Sequence, residues 1–373
     1  MTAQSGFANG NPNVILDAGN SLVKVLTDAA IGKPQFFMPH ALVETDEASY
    51  SRLADMYGSS SGHYEFLKWD GRYFVTSDAA LGAGDVTPVQ GRNKYRRDYY
   101  GVLLASALLH LFRGDVPDCI NVFAGYPPGD YEQVHLLQKA ILGTWSIDNL
   151  GRKVRFRVEY SSVFDEVVGG AMNVVLAPDG VRYKDHPIAE DGPTIVCDLG
   201  GGTFDMLRLN RNGTPDYSRI VSRRVGVNDA IESFVKVFNR KHKAVLEDAE
   251  NGLPVERVHE CFRDPEHRVR LAGREYLDCK DIYRQATQRV LNAVADAYRE
   301  ASGGSINYNY CLLTGGGSGL LYQEMAQDVF GRFEKSKALF LADKREEIHM
   351  ANVRGAKKLV KTLIAATSSK RSR

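Results

Sequence analysis

Thr194-Ile-Val-Cys-Asp198-Leu-Gly200-Gly201-Gly202-Thr203-Phe-Asp205-Met-Leu-Arg-Leu209 is the stretch whose reading decides the fold. Two β-rich runs, 194–197 and 203–209, flank three consecutive glycines, the pattern of a hairpin with a tight turn. Glycines let the backbone take positive φ and approach a ligand without a Cβ in the way. Successive amides in such a turn form a concave nest that favours phosphate oxygen. Asp198 and Asp205, at the rim, cannot face phosphate directly because like charges repel. They suit a hydrated magnesium ion set between carboxylates and phosphates, since Mg²⁺ keeps most of its waters and needs few carboxylates. A Gly-rich hairpin with solvated acids is the plainer alternative for this stretch taken alone.

Near the N-terminus, Val14-Ile-Leu-Asp17-Ala-Gly19-Asn20-Ser21-Leu-Val-Lys24-Val-Leu26 repeats the same logic. A buried-type strand ends in an acid, turns through Gly19, Asn20 and Ser21, and runs into a second strand. Lys24 lies seven residues after Asp17, on the returning strand, where an ammonium reaches back toward β- or γ-phosphate oxygens. A lone strand lysine is otherwise a solvated rim charge. A third glycine cluster, Thr314-Gly315-Gly316-Gly317-Ser318-Gly319, follows the apolar run Cys311–Leu313 and precedes a helix. A strand-to-helix glycine turn sets helix N-terminal amides beside a ligand.

Between these motifs the chain alternates strands and helices. Residues 33–95 read as a smaller insertion, with strand-like runs at 35–38, 64–69 and 72–76. The segment Gly58-Ser-Ser-Ser-Gly62 is a flexible surface loop by composition, and Glu44–Gly62 as a whole is expected to be mobile in a monomer and ordered by a neighbouring subunit. Tyr99–Phe112 is apolar nearly all round and reads as a buried helix. Cys119–Ala124 is an internal strand stopped by Gly125-Tyr-Pro-Pro-Gly129, with Asp130 as the expected N-cap of the next helix. Lys153–Tyr160 alternates basic and apolar residues as a half-exposed strand does. A short loop should then lead to a helix opening with Asp165 and Glu166, acids that serve either the helix dipole or catalysis. Tyr217–Arg224 reads as a third strand, and a helix starts at Gly226-Val-Asn228 and runs through Glu232 to about Lys241. Residues 240–277 read as a small peripheral subdomain with solvated faces. The final helix should end near Ala366, with Thr367–Arg373 frayed.

The 373 residues suffice for two or three domains at roughly 150 residues each. A hydrophobic fraction of 43% and a charged fraction of 25% describe an ordinary globular protein. The net charge of +1 gives no electrostatic case for direct nucleic-acid binding. Five cysteines without a C-x-x-C pair argue against a disulfide framework or zinc and for a reducing compartment. Residues 1–13 lack the apolar core of a signal peptide, and no run approaches the ~18 apolar residues of a membrane span. The expected setting is the cytoplasm. P-loop, zincin and strand-borne G-x-G-x-x-G motifs are absent.

In order and kind, these motifs resemble one superfamily, the actin, sugar-kinase and heat-shock-chaperone ATPases. Asp17–Lys24 looks like its first phosphate hairpin, Asp198–Asp205 the second, Leu313–Gly317 the adenosine motif, and Asp165–Met172 and Asn352–Ala356 the two helical connectors. Within the superfamily the chain is most similar to the ParM/StbA bacterial actins, through Gly125-Tyr-Pro127-Pro-Gly-Asp-Tyr131 and Val163-Phe-Asp-Glu166-Val-Val-Gly-Gly-Ala. The resemblance implies an α/β fold of two related actin-type (ribonuclease H-like) domains around a nucleotide cleft, each with a smaller peripheral subdomain. The first would span 1–190 plus 345–373, with the insertion at about 33–95. The second would span 191–344, with its subdomain at about 235–280.

It also implies ATP or ADP as ligand and Mg²⁺ held through water by Asp17, Asp198 and Asp205. Catalysis would fall to Glu166 with Asp17 and Asp198. Nucleotide contacts would come from Gly19, Asn20, Ser21, Lys24, Gly200, Gly201, Gly202, Thr203, Gly315, Gly316 and Gly317, with Asn228 and Glu232 toward the ribose. The implied activity is ATP hydrolysis coupled to a homopolymeric filament, for segregation or positioning of plasmid or other DNA through a DNA-bound adaptor. A non-polymerising small-molecule kinase and a chaperone-type ATPase of the same fold are the alternatives.

Overall fold

The computed structural model describes residues 10–57, 63–83, 94–180, 185–243, 253–271, 276–302 and 308–371. It divides into two compact units, Met1–Lys184 with Met350–Arg373, and Asp185–His349. Of the stretch Glu44–Gly62 expected to be mobile, the first part is corrected: Leu42–Thr45 is a strand and Glu47–Tyr57 a helix that buries Tyr50 and Leu53, while Gly58–Gly62 falls outside the described residues.

Unit 1 opens with β1 (Asn13–Ala18), β2 (Leu22–Thr27), β3 (Gln35–Pro39) and β4 (Leu42–Thr45), followed by α1 (Glu47–Tyr57), β5 (Phe66–Trp69), β6 (Arg72–Thr76) and α2 (Ser77–Gly82). A π-type turn at Arg97–Gly101 leads into α3 (Val102–Leu111). Then come β7 (Cys119–Tyr126), α4 (Val134–Ile141), β8 (Gly143–Asn149), β9 (Arg152–Asp165) and α5 (Glu166–Val175). Unit 2 contains α6 (Pro187–Glu190), β10 (Thr194–Leu199), β11 (Phe204–Leu209), β12 (Pro215–Arg223), α7 (Val227–Lys241), α8 (Val255–Arg263), β13 (Arg268–Arg270) and β14 (Tyr276–Asp278). It continues with α9 (Lys280–Ser302), β15 (Tyr310–Thr314), α10 (Gly316–Leu320), α11 (Tyr322–Glu324), α12 (Gly331–Lys335) and β16 (Leu339–Leu341). The chain returns to unit 1 as α13 (Ala351–Arg371).

The two sheets share one core topology. In unit 2 the order is β12-β11-β10-β15-β16, with β10 antiparallel to β11 and parallel to β15. Unit 1 has the equivalent run β3-β2-β1-β7-β9, extended by β8-β5-β6-β4 into one nine-stranded sheet. Here β1 is antiparallel to β2 and parallel to β7. Central strands buried on both faces explain the continuous apolar runs: Val14, Ile15 and Leu16 in β1, like Ile195, Val196 and Cys197 in β10, are fully buried. The strands at 35–76 therefore continue the main sheet, while α1 and α2 pack on their far end in a local core of Tyr50, Leu53, Phe66 and Val75.

Several local expectations are corrected. No loop separates β9 from α5; the strand runs straight to Asp165. Asp130 is not an N-cap. It lies inside a 3₁₀ turn at Pro128–Gln133 and accepts from the Tyr95 hydroxyl at 2.8 Å. Residues 253–279 are more than solvated faces, because Leu253, Val258, Cys261, Phe262, Val269 and Cys279 join the unit 2 core. α13 runs past Ala366 to Arg371. Its lysines are committed locally: Lys357 donates to the Thr27 carbonyl, Lys358 to Asn173 and Lys361 to Pro178.

α5 and α13 cross at glycines. A Cβ on Gly355 would stand 1.8 Å from the Gly169 carbonyl oxygen and 2.5 Å from the Asn173 nitrogen. A Cβ on Gly169 would stand 2.5 Å from the Asn352 carbonyl oxygen. Nothing but hydrogen fits between these backbones, and neither backbone can yield as a flexible side chain would. Gly355→Ala should therefore destabilise the protein by about 1–3 kcal/mol or more. Gly331→Ala, whose Cβ would meet only ordinary contact at 3.6 Å, should be near neutral. Urea unfolding of both variants checks the difference.

Candidate functional site

The unit 1 hairpin places Asp17 and Lys24 directly opposite each other across β1 and β2. Asp17 is fully buried and its Oδ2 receives the Lys24 ammonium at 2.7 Å. Its Oδ1, also buried, has no hydrogen-bond partner among the described residues. Gly19 and Asn20 are half-buried and Ser21 exposed at the turn. The turn is held from β3's end: the His40 amide donates to the Ser21 carbonyl at 2.9 Å, and His40 Nδ1 donates to the Gly19 carbonyl. Burial, with the nearby Lys94 ammonium, lowers the His40 pKa from 6.5 to about 4, against the opposing pull of the Gly19 carbonyl and Asp17. The ring is neutral at pH 7.

The two acids that open α5 separate into different roles. Asp165 is buried and caps the helix, accepting from the Val167 amide at 3.0 Å and the Val168 amide at 3.4 Å. Glu166 is half-exposed and leans over Gly125 at the end of β7, its Cγ 3.2 Å from where a Gly125 Cβ would stand. Its charge acts on the phenols of Tyr95 and Tyr100, and Tyr100 also feels Asp17. Asp17, Lys24 and Glu166 thus gather at the carboxyl ends of the parallel strands β1, β7 and β9, where open α/β sheets place ligands.

The unit 2 hairpin sets Asp198 opposite Asp205, both almost fully buried. None of Gly200, Gly201 and Gly202 takes a positive φ. The expectation that the turn itself uses left-handed backbone is corrected; glycine is needed for what surrounds it. α7 docks end-on against the turn, with the Val227 amide donating to the Gly200 carbonyl at 3.1 Å and the Asn228 amide to Gly201 at 2.9 Å. A Cβ on Gly226 would stand 2.3 Å from the Gly201 carbonyl oxygen. The Gly200 amide closes the turn onto the Thr203 carbonyl at 2.9 Å. From the other side, Gly315 takes φ +83°, and a Cβ there would stand 2.1 Å from Asp198 Oδ1. A Gly317 Cβ would stand 2.7 Å from the Leu199 carbonyl oxygen, and Ser318 Oγ accepts from the Leu199 amide at 3.3 Å. Gly316 faces His349 at ordinary contact distance. Glu232, one helical turn beyond Asn228, is exposed and makes no hydrogen bond or ion pair among the described residues.

Sequence reading missed His40, Lys94, Tyr95, Tyr100, Gly226 and Ser318. Lys94 is buried and pairs with Asp130 at 3.2 Å. The run Lys94-Tyr-Arg-Arg-Asp-Tyr-Tyr100 carries the one available signal, tyrosines and cations packed together just before an apolar helix.

Taken unit by unit, the acids of each hairpin are of the kind that suits a hydrated magnesium ion. Asp17 presents an unspent buried oxygen, and two buried acids face each other across the second hairpin. No cluster of three or more His, Cys, Asp or Glu among the described residues is placed to hold a metal directly, so any ion here would keep water in its shell.

No family model and no curated protein sequence matches the chain. Solved structures do. Alp7A, an actin-like protein, superposes with a TM-score of 0.73 at 18% identity, covering 96% of this chain and 98% of that one. Ta0583, an archaeal actin homologue solved with ADP, gives 0.64 at 18% identity, with 94% and 99% covered. A ParM from Clostridium botulinum, solved as a 15-stranded filament, gives 0.64 at 15% identity, with 93% and 99% covered. The chain has the actin fold. Its neighbours in that fold include bacterial proteins, ParM and Alp7A, and the archaeal actin homologue Ta0583. No described helix is long and apolar enough to cross a membrane.

Two expectations follow from the geometry. Asp165→Ala should cost about 0.5–2 kcal/mol through the lost cap, whereas Glu166→Gln should stay within about 0.5 kcal/mol of wild type; urea unfolding distinguishes them. For His40, the unfolded chain takes up a proton near pH 6.5 but the folded chain only near pH 4. Stability should therefore fall as pH drops from 6.5 toward 4 and level off below that. His40→Gln should flatten this part of the curve, and an unchanged slope would contradict the assignment.

Proposed function

We propose that the protein binds and hydrolyses Mg-ATP and polymerises into dynamic filaments in the cytoplasm, serving segregation or positioning of plasmid or other DNA through a DNA-bound adaptor. The observation that carries the reading is the repeated hairpin. Each unit buries an acid at the end of its central parallel strand and sets a small-residue turn beside it. The solved neighbours include an ADP complex and a ParM filament, which supports the same reading.

The residues divide the work as follows. Turn amides at Gly19–Ser21 and Gly200–Gly202, with Thr203, would receive phosphate oxygens, and Lys24 would neutralise charge developing on the leaving side. Asp17 and Asp198, assisted by Asp205, would hold the water shell of a magnesium ion. That ion, when bound, supplies positive charge to the β- and γ-phosphate oxygens. Gly315–Gly317 would let the adenine and ribose lie against the backbone, with Asn228, at the start of α7, and the exposed Glu232 as ribose candidates. Glu166 would orient or deprotonate the attacking water, help worth roughly 10²–10⁴-fold.

The test separates binding from cleavage. Glu166→Gln keeps every phosphate-binding group, so it should assemble with ATP, followed by light scattering or pelleting. Its filaments should persist while wild-type filaments decay as ATP is consumed, and its phosphate release should fall by roughly 10²-fold or more. Release within about twofold of wild type would reduce Glu166 to a helix-dipole acid.

A further inference from the structure

The residue that follows β3 grips the first hairpin turn twice. The ladder between β2 and β3 ends with Leu22 opposite Pro39, and the next residue, His40, donates its amide to the Ser21 carbonyl at 2.9 Å. Its ring reaches the other side of the turn, where Nδ1 bonds to the Gly19 carbonyl. A carbonyl can only accept, so Nδ1 carries the proton and Nε2 the lone pair. Nε2 is buried and has no hydrogen-bond partner among the described residues, so a second proton there would find no acceptor. Burial, with the nearby Lys94 charge, keeps the ring neutral at pH 7.

The consequence lies on the opposite edge of the peptide. In a planar trans peptide the carbonyl and the following N–H point in opposite directions, and the Gly19–Asn20 bond is trans. With the Gly19 carbonyl drawn onto His40, the Asn20 amide is turned away from the ring. Neither that amide nor the Gly19 amide makes a hydrogen bond among the described residues. Gly19 also stands beside the acid–lysine pair: a Cβ there would lie 3.5 Å from Asp17 Oδ1 and 3.7 Å from Lys24 Nζ. An unspent backbone N–H and an ammonium on one turn make a receptor for anionic oxygen. None of Gly19, Asn20 and Ser21 takes a positive φ. The turn therefore lacks the left-handed residues that shape tight two-residue hairpins, and the hold on its peptide plane comes from His40.

We propose that the His40 ring is a positioning residue for nucleotide binding: by holding the Gly19 carbonyl it aims the Asn20 amide at a phosphate oxygen. This rests on the Mg-ATP reading above. The ring touches no phosphate itself, and it acts only through the peptide it turns.

Substitutions at His40 separate this role from packing. His40→Asn keeps a side-chain N–H donor close to the place of Nδ1, whereas His40→Leu and His40→Phe keep apolar bulk without a donor. All three retain the backbone amide that holds Ser21, so the hairpin stays tied to β3. Calorimetric titration with Mg-ATP should show both donor-less variants binding roughly tenfold or more weakly than wild type, the loss expected for one charge-assisted hydrogen bond. His40→Asn should bind within about threefold of wild type. Phosphate release at saturating Mg-ATP should stay within about threefold of wild type in every variant, because the amide holds phosphate equally before and during transfer. Wild-type affinity in either donor-less variant, an equal loss in His40→Asn, or a loss confined to saturating turnover would overturn the assignment. In those cases tight Mg-ATP binding by wild type leaves the nucleotide reading standing, whereas a wild type that binds no Mg-ATP overturns that reading itself.

Discussion

A carboxylate buried at the end of a central strand is the constraint on which both units depend. A buried charge is tolerated only with a partner or a cation close by. The first hairpin meets the demand internally, because the cross-strand register sets Lys24 opposite Asp17 at 2.7 Å. The second sets Asp205 opposite Asp198, and like charges in register destabilise a hairpin. The two hairpins share a plan but differ in charge: one pair is neutral and the other doubly acidic.

Around each acid, backbone comes closer to backbone than side chains allow. Gly226 meets the carbonyl of Gly201, and Gly315 meets Asp198 and Leu199. In unit 1, Gly169 and Gly355 let α5 and α13 touch directly. α5 begins with Asp165 as its cap and Glu166 beside the hairpin, so the crossing with α13 fixes where Glu166 stands. Gly169, Gly226, Gly317 and Gly355 serve close approach, and among the site glycines Gly315 alone takes a left-handed φ.

The hairpins were legible in the sequence because an acid, a small-residue turn and a returning strand are contiguous. Strand pairing turned that short-range pattern into the Asp17–Lys24 and Asp198–Asp205 registers without help from distant residues. What the sequence hid is non-local. His40 reaches Gly19 from another strand, and Tyr100 reaches the hairpin from the turn before α3. Asp130 looked like a cap because it follows two prolines, yet its carboxylate answers Lys94 and Tyr95, 35 or more residues away in sequence. The choice between Asp165 and Glu166 was likewise open until the helix start was placed, since either acid satisfies a helix dipole. Residues 253–279 look polar on average, and only the packing reveals the apolar side that joins the core.

The central claim is that these hairpins bind the phosphates of a nucleotide with its magnesium. Calorimetric titration of the full chain with ATP, in excess magnesium and then in excess chelator, tests it most directly. The account predicts one binding site per chain in magnesium and a much weaker or undetectable one in chelator. No binding in magnesium, or equal binding in both, would contradict it.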